Sequence, residues 1–193
     1  MTQPSKITAG DGTSGGISYT GGDDGSLEVW VGPAGSKVLA FKISASGQII
    51  GANSSLQLNT ANGYGGAASP VIRRFTNVAE QRGTYVADYS IVMNATVGTE
   101  ITINTADYYS FMYTESVSLA QVFGLSINSS QLTSQIANIN LADRLLSSAC
   151  EATTGSGQCS GRVWVPSGSI IRPHTNAVTG GTAALCQLRI VRG

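Results

Sequence analysis

The chain has 193 residues, 41% of them hydrophobic and 11% charged, and its 11 basic and 11 acidic side chains cancel to zero net charge. That length holds one or two compact domains with a sizeable core. The cancelled charge argues against binding a nucleic-acid backbone or an anionic membrane surface, which needs a clustered excess of Lys and Arg. Fair hydrophobicity with little charge is also the opposite of a disordered chain.

Residues 1–25 are dominated by Gly, Ser, Thr and Asp and read as an extended arm, ordered only where something holds it. Met1 to Lys6 leads into Gly and Asp without an apolar run, so no signal peptide is expected. No stretch approaches the length of apolar chain that spans a membrane. The sequons at Asn53, Asn94 and Asn128 are therefore expected to be idle.

From residue 26 the pattern tightens. Leu27, Val29 and Val31 alternate with Glu28 and Trp30, the period-two signature of a half-buried strand. After the turn Gly32-Pro33-Ala34-Gly35 come Leu39, Phe41 and Ile43, then the turn Ser44-Ala45-Ser46-Gly47 and Gln48-Ile49-Ile50. Three short strands in a meander are too thin to bury a core. They gain burial by packing on another domain or on copies of themselves. Residues 51–70 read as a linker or long loop, with Asn62-Gly63 and Gly65-Gly66 as turn signals.

Beyond residue 70, strand patterns recur. They comprise Tyr85 to Ala87, Tyr89 to Met93, the pair Ile101 and Ile103, the aromatic run Tyr108 to Tyr113, and a long alternation from Val117 through Ile127. Asn140 to Cys150 fits a capped helical turn bearing Leu141, Leu145 and Ala149, or a strand. Val163 to Val165, the turn Pro166-Ser167-Gly168, Ile170-Ile171 and a closing strand with Leu188 and Ile190 on one face complete the chain. Many short strands with turns between them predict an all-β sandwich or barrel.

Cys150 and Cys159 bracket an eight-residue polar loop. A disulfide there would stabilise it by about 2–3 kcal/mol, and two reduced thiols are the alternative in a protein assembled in the cytosol. Cys186 sits in a strand pattern and reads as a small buried hydrophobe.

The chemical motifs are weak. Gly10, Gly12 and Gly15 spell a dinucleotide fingerprint but lack the strand before and the helix after. Gly157-Gln158-Cys159-Ser160-Gly161 imitates a nucleophile elbow without its strand-turn-helix context, and reads as a loop. Asp11, Asp23 and Asp24 lack calcium-loop spacing, and no His/Cys set fits zinc. No catalytic residue, metal site or cofactor is expected. The single histidine, His174, follows a proline at a strand end and reads as a surface or loop residue, with a pH switch or ligand role as the alternative. An aromatic cluster on a loop tip would favour glycan binding, and Tyr64, Tyr108 and Trp164 are the residues to place.

Two stretches carry resemblances. Asp24 through Val31 with Ala40 through Gly51 resembles a segment of tailed-phage fibre and other virion proteins, in which it lies where three chains meet. The resemblance implies a trimerisation or anchoring motif formed by Leu27, Val29, Val31, Phe41, Ile43 and Ile49. Residues from about 75 to 193 resemble the C1q/TNF-like jelly roll, through Tyr108-Tyr109-Ser110-Phe111 and the run Val163 to Thr175. That resemblance implies a homotrimer with an apolar, aromatic-lined threefold interface and brings no catalytic residues.

The expected architecture is therefore all-β: an arm at 1–25, a small β-meander and linker at 26–70, and a jelly-roll sandwich at 71–193, assembled as a trimer. The expected role is a virion component made in the host cytoplasm, contacting other tail or capsid proteins. A short tail fibre or receptor-binding tip touching host glycan or protein leads. A capsid decoration (cement) protein is the alternative, and a glycan depolymerase or a secreted C1q-like binder are minor ones. A depolymerase would need two carboxylates about 5–10 Å apart in a groove.

Overall fold

The computed structural model describes residues 6–9, 16–21, 25–32, 38–43, 45–46, 49–51, 54–59, 71–83, 88–117, 120–150, 155–176 and 186–193. The glycines of the fingerprint, Asp11, Asp23, Asp24, Tyr64, the Asn62-Gly63 signal and Tyr85 to Ala87 lie outside them. The chain divides into two units, Met1–Asn53 with Gly83–Tyr85, and Ser54–Arg82 with Val86–Gly193.

The first unit is one antiparallel sheet of five strands in chain order: β1 (Lys6–Ala9), β2 (Gly16–Gly21), β3 (Leu27–Gly32), β4 (Val38–Ile43) and β5 (Ile49–Gly51). The meander thus has two more strands than the three read from the sequence. β1 and β2 come from the stretch read as an arm, and β2 is the Ile17-Ser18-Tyr19-Thr20 run between its glycines. Tyr19 pairs with Val29 and Ile17 with Val31, so the arm residues continue the alternation of β3.

The second unit is a sandwich of two five-stranded antiparallel sheets. Its strands are β6 (Ser54–Asn59), β7 (Asn77–Gly83), β8 (Tyr89–Asn94), β9 (Gly98–Ile103), β10 (Asp107–Val117), β11 (Gln121–Ile127), β12 (Arg144–Cys150), β13 (Gly155–Val165), β14 (Ser169–Thr175) and β15 (Gln187–Arg192). One sheet runs β13-β10-β15-β6-β7 and the other β12-β11-β14-β9-β8. From β9 onward the chain crosses repeatedly between sheets, so sheet neighbours are rarely neighbours in sequence, as in a jelly roll. The inward residues of both sheets form one core, with Leu56, Leu58, Phe75, Tyr109, Phe111, Tyr113, Phe123, Leu125, Leu188 and Ile190 at its heart. Tyr113 meets Phe75 and Phe123 edge-on, at ring separations of 6.3 and 5.6 Å.

Several sequence expectations change. β6 lies inside the stretch read as linker, and its alternating Leu56 and Leu58 are fully buried. The Val117-to-Ile127 alternation is two strands, β10 ending at Val117 and β11 beginning at Gln121. The Asn140–Cys150 stretch holds a 3-10 turn, Leu141–Asp143, followed by strand β12, and Leu141 is exposed. The Gly157–Gly161 loop is the middle of β13. Its glycines are there for close approach: a Cβ at Gly157 would lie 2.5 Å from Phe123 Cε1, and one at Gly161 would lie 2.7 Å from Leu146 Cδ2.

A buried ion pair sits within the sandwich. Arg73 donates through Nε and Nη2 to the Glu115 carboxylate, which also accepts from the Tyr113 hydroxyl and the Cys186 thiol. All four residues are buried. Burial alone would lower the Arg73 pKa, but the Glu115 charge outweighs it and holds the guanidinium protonated. Burial raises the Tyr113 hydroxyl well above its usual range. Cys186 is buried as read from the sequence, yet its thiol works as a donor.

Candidate functional site

β10 is aromatic on both faces. Tyr109, Phe111 and Tyr113 point into the core, and Tyr108 and Met112 point out. The long hairpin-like pairing of β10 with β13 sets Tyr108 opposite Trp164 and Ser110 opposite Arg162. On the outer face the Tyr108 and Trp164 rings meet edge-to-face at 5.2 Å and 73°. The Arg162 guanidinium carbon stands 5.2 Å from the Tyr108 ring centroid, in cation–π range. Trp164 is 51% exposed, Tyr108 48% and Met112 37%.

This end of the sheet is held firmly. The Gly193 amide donates to the Tyr108 carbonyl, and Arg192 donates to Asp107 at 2.9 Å and to both oxygens of Asp88 at 3.2 Å. Arg192 lowers the pKa of Asp107, chiefly by that hydrogen bond. Asp88 in turn accepts from Ser54 and Thr105. The aromatic patch is therefore a rigid surface on paired strands, and Tyr108 and Trp164 are not on a loop tip.

The residues of the N-terminal motif come together on the first unit's sheet. Leu27 pairs with Ile43, Ile43 with Ile49, and Val29 with Phe41, so Leu27, Ile43 and Ile49 form one cross-strand row and Val29 and Phe41 the next. Val31 continues the row along β3. Val29 is buried, whereas Leu27 and Val31 are exposed and Phe41 and Ile43 half-buried. On the other face Lys42 approaches Glu28 at 3.5 Å, and Trp30 Nε1 donates to Glu28 at 3.2 Å.

Cys150 and Cys159 are unbridged thiols. Cys150 pairs with Gln121 in one sheet and Cys159 with Tyr113 in the other, so they stand on opposite layers of the sandwich. Burial pushes the Cys159 thiol up to about 12, which removes the thiolate a nucleophile elbow would need.

His174 is not the surface or loop residue its sequence neighbours suggest. It is fully buried on the outer side of β14, beneath the segment that links β11 to β12. That segment is strapped down by every second residue of β14 and the residue just beyond it. The Ile170 amide donates to Asn128 Oδ1, Arg172 to the Ser129 carbonyl, His174 Nδ1 to the Ser134 carbonyl, and the Asn176 carbonyl accepts from Gln135. Because a carbonyl can only accept, Nδ1 carries the proton and Nε2 accepts from Ser126 Oγ at 2.8 Å. Burial, with the charge of Arg172 adding to it, lowers the His174 pKa to about 4. Opposite His174, Gly124 lets β12 and the strap lie close: a Cβ there would clash with the Leu146 carbonyl oxygen of β12 and fall 3.1 Å from Ile136 of the strap. Among the described residues no group of three His, Cys, Asp or Glu is placed to hold a metal.

These observations define an all-β chain whose larger unit is a TNF-like jelly roll with one open aromatic face. Crystal structures of murine APRIL share that fold. Those determined at pH 8.0 and pH 8.5 superpose with a TM-score of 0.52 at 14% identity, covering 73% of this chain and 99% of theirs. The structure at pH 5.0 gives 0.51 over the same coverage. No family model and no curated protein sequence matches the chain.

Proposed function

We propose that this chain is a non-enzymatic structural protein that assembles as a homotrimer through the aromatic face of its jelly roll. We further propose that it serves in a tailed-phage virion as a short tail fibre or receptor-binding tip. The observation that carries the assembly reading is the Tyr108–Trp164–Arg162 patch with Met112. It is an apolar, half-exposed surface on rigid strands of a chain with very little charge. Such surfaces are characteristic of interaction faces, and a self-complementary patch closes most simply under rotational symmetry. The TNF-like jelly roll is a trimer-forming fold, which supports the same reading. The buried carboxylates Glu115 and Asp88 are engaged by Arg73, Tyr113, Arg192 and Ser54 rather than opened to a groove, which supports a non-catalytic role. The virion assignment rests on the fibre-like pattern of residues 24–51.

Sedimentation equilibrium of the purified chain tests the assembly. The wild type is expected at three times the chain mass, and Trp164→Ala with Tyr108→Ala at one. A folded wild-type monomer would refute it. Within a virion, low copy number and inhibition of infection by the free protein match a fibre tip. High copy number on the head matches the cement alternative.

A further inference from the structure

The strap, residues 128–139, belongs to no sheet. Its Asn128 amide donates to the Ile170 carbonyl of β14. Its other described backbone bonds are internal, from Ser134 to Gln131, Asn138 to Gln135 and Ile139 to Ile136. Side chains supply the remaining anchors. His174 and Arg172 reach it from β14, Gln135 reaches out to Asn176, and Arg144 donates to the Ala137 and Ile139 carbonyls. Ile136 and Ile139 are its buried apolar side chains. Lifting the strap thus breaks no pairing between strands, and segments of this kind open at a free energy below that of global unfolding.

The contact beneath the strap has no anion to spare. Residues 128–139 carry no charged side chain, and neither does β11. On β14 itself Arg172 is paired with Glu100 of β9 at 3.3 Å. Ile72 bridges to His174 and is followed by Arg73 and Arg74, and Arg73 is paired with Glu115. Asp143 and Arg144 lie past the strap's end, where Arg144 holds its last carbonyls. His174 itself is shut from water and bonds Ser126 and Ser134, with no carboxylate among its described partners. A proton on Nε2 would turn that nitrogen into a donor and leave a cation under the strap without water or counter-charge. Arg172 Nε is already buried there with no partner, so opening the strap hydrates two cations at once.

We infer that residues 128–139 are an acid-opened strap: protonation of His174 lifts them off β14 while both sheets of the jelly roll stay paired. Opening also bares Ile136 and Ile139, an apolar surface hidden at neutral pH. The sign follows from the ring. The closed strap favours the neutral imidazole and the open strap the protonated one, so the strap is held at pH 7 and loosens as pH falls. With a pKa of about 4 when closed against 6.5 when hydrated, opening is about 20-fold more favourable at pH 5 than at pH 7. The device lies within one jelly roll and does not rest on the assembly reading.

Native-state hydrogen exchange of the full chain, followed by NMR and divided by the intrinsic rate at each pH, tests it. Protection of the Asn138 and Ile139 amides is expected to fall about 20-fold from pH 7 to pH 5 and to depend weakly on urea. The Phe111 and Tyr113 amides of β10 are expected to show the steep urea dependence of global unfolding. His174→Gln is expected to hold strap protection nearly constant between the two pH values. Gln135→Ala, which loses the anchor to Asn176, is expected to lower strap protection at both pH values and keep the same ratio between them. Wild-type strap protection unchanged from pH 7 to pH 5, an equal fall in His174→Gln, or strap amides sharing the urea slope of β10 would overturn the proposal. The wild-type slopes and Gln135→Ala keep the test decisive should His174→Gln fail to fold.

Discussion

His174 makes stability depend on pH in a window where few other groups titrate. It is the only histidine in the chain. Its pKa is lowered from 6.5 to about 4 in the folded protein. Between those values the unfolded chain binds a proton that the folded chain refuses, so stability rises with pH there. The contribution is fully present above pH 6.5 and is lost progressively as pH falls toward 4. At about 1.36 kcal/mol per pKa unit, the full difference is about 3 kcal/mol, and about 2 kcal/mol of it is gone by pH 5. Urea unfolding followed by tryptophan emission at pH 7 and pH 5 reads this directly. The midpoint of the wild type should drop, whereas His174→Gln should show a much smaller drop because an uncharged amide replaces the ring. A direct check is the His174 Cε1 proton resonance, which should stay at its neutral position down to about pH 5. A midpoint unchanged between pH 7 and 5, or a histidine resonance titrating near 6.5, would refute the burial argument and with it the packing of the strap over β14.

Gly157→Ala should destabilise the jelly roll by about 1–3 kcal/mol, because its methyl would meet the Phe123 ring. Gly168→Ala, with open space but φ of +83°, should cost about 1–2 kcal/mol from backbone strain alone; urea midpoints measure both. Glu115→Ala should cost about 3–5 kcal/mol by stranding the Arg73 charge in the sandwich. Adding Arg73→Met should recover part of that loss in the same assay. Under non-reducing conditions at neutral pH, Cys159 and Cys186 should resist a thiol reagent in the native protein, and all three cysteines should react once it is unfolded. Finding only one reactive thiol in the unfolded chain would show that two of the three cysteines are bridged, and peptide mapping would identify the pair.

Alternation made much of the sandwich legible. Tyr89 to Met93, Ile101 with Ile103, and Leu188 with Ile190 are strands with the faces their spacing predicts. The failures share a physical cause: local pattern does not see what lies on the opposite layer. Gly157 and Gly161 read as loop residues because glycine weakens an isolated strand, yet here each leaves room for a side chain of the facing sheet. The alternation from Val117 to Ile127 runs on in sequence while the chain changes sheets. Proline and the polar neighbours of His174 read as surface, because the strap that buries it is supplied by residues 128–139, about 40 positions away, as in the Ser134 contact.

The assembly face illustrates the same limit from the other side. In Tyr108-Tyr109-Ser110-Phe111-Met112-Tyr113 both faces of the strand are aromatic or apolar, so period two alone assigns neither to the core. The decision comes from pairing. Tyr109 and Phe111 gain Ile190 and Leu58 as layer partners in the same core, whereas among the described residues Tyr108 meets Trp164 and Arg162 on the sheet's exposed face. A lone chain with the opposite assignment would bury Arg162 beneath that layer and desolvate its charge. Burying the Tyr109–Phe111–Tyr113 face avoids that penalty and leaves Tyr108 and Trp164 as an exposed aromatic surface.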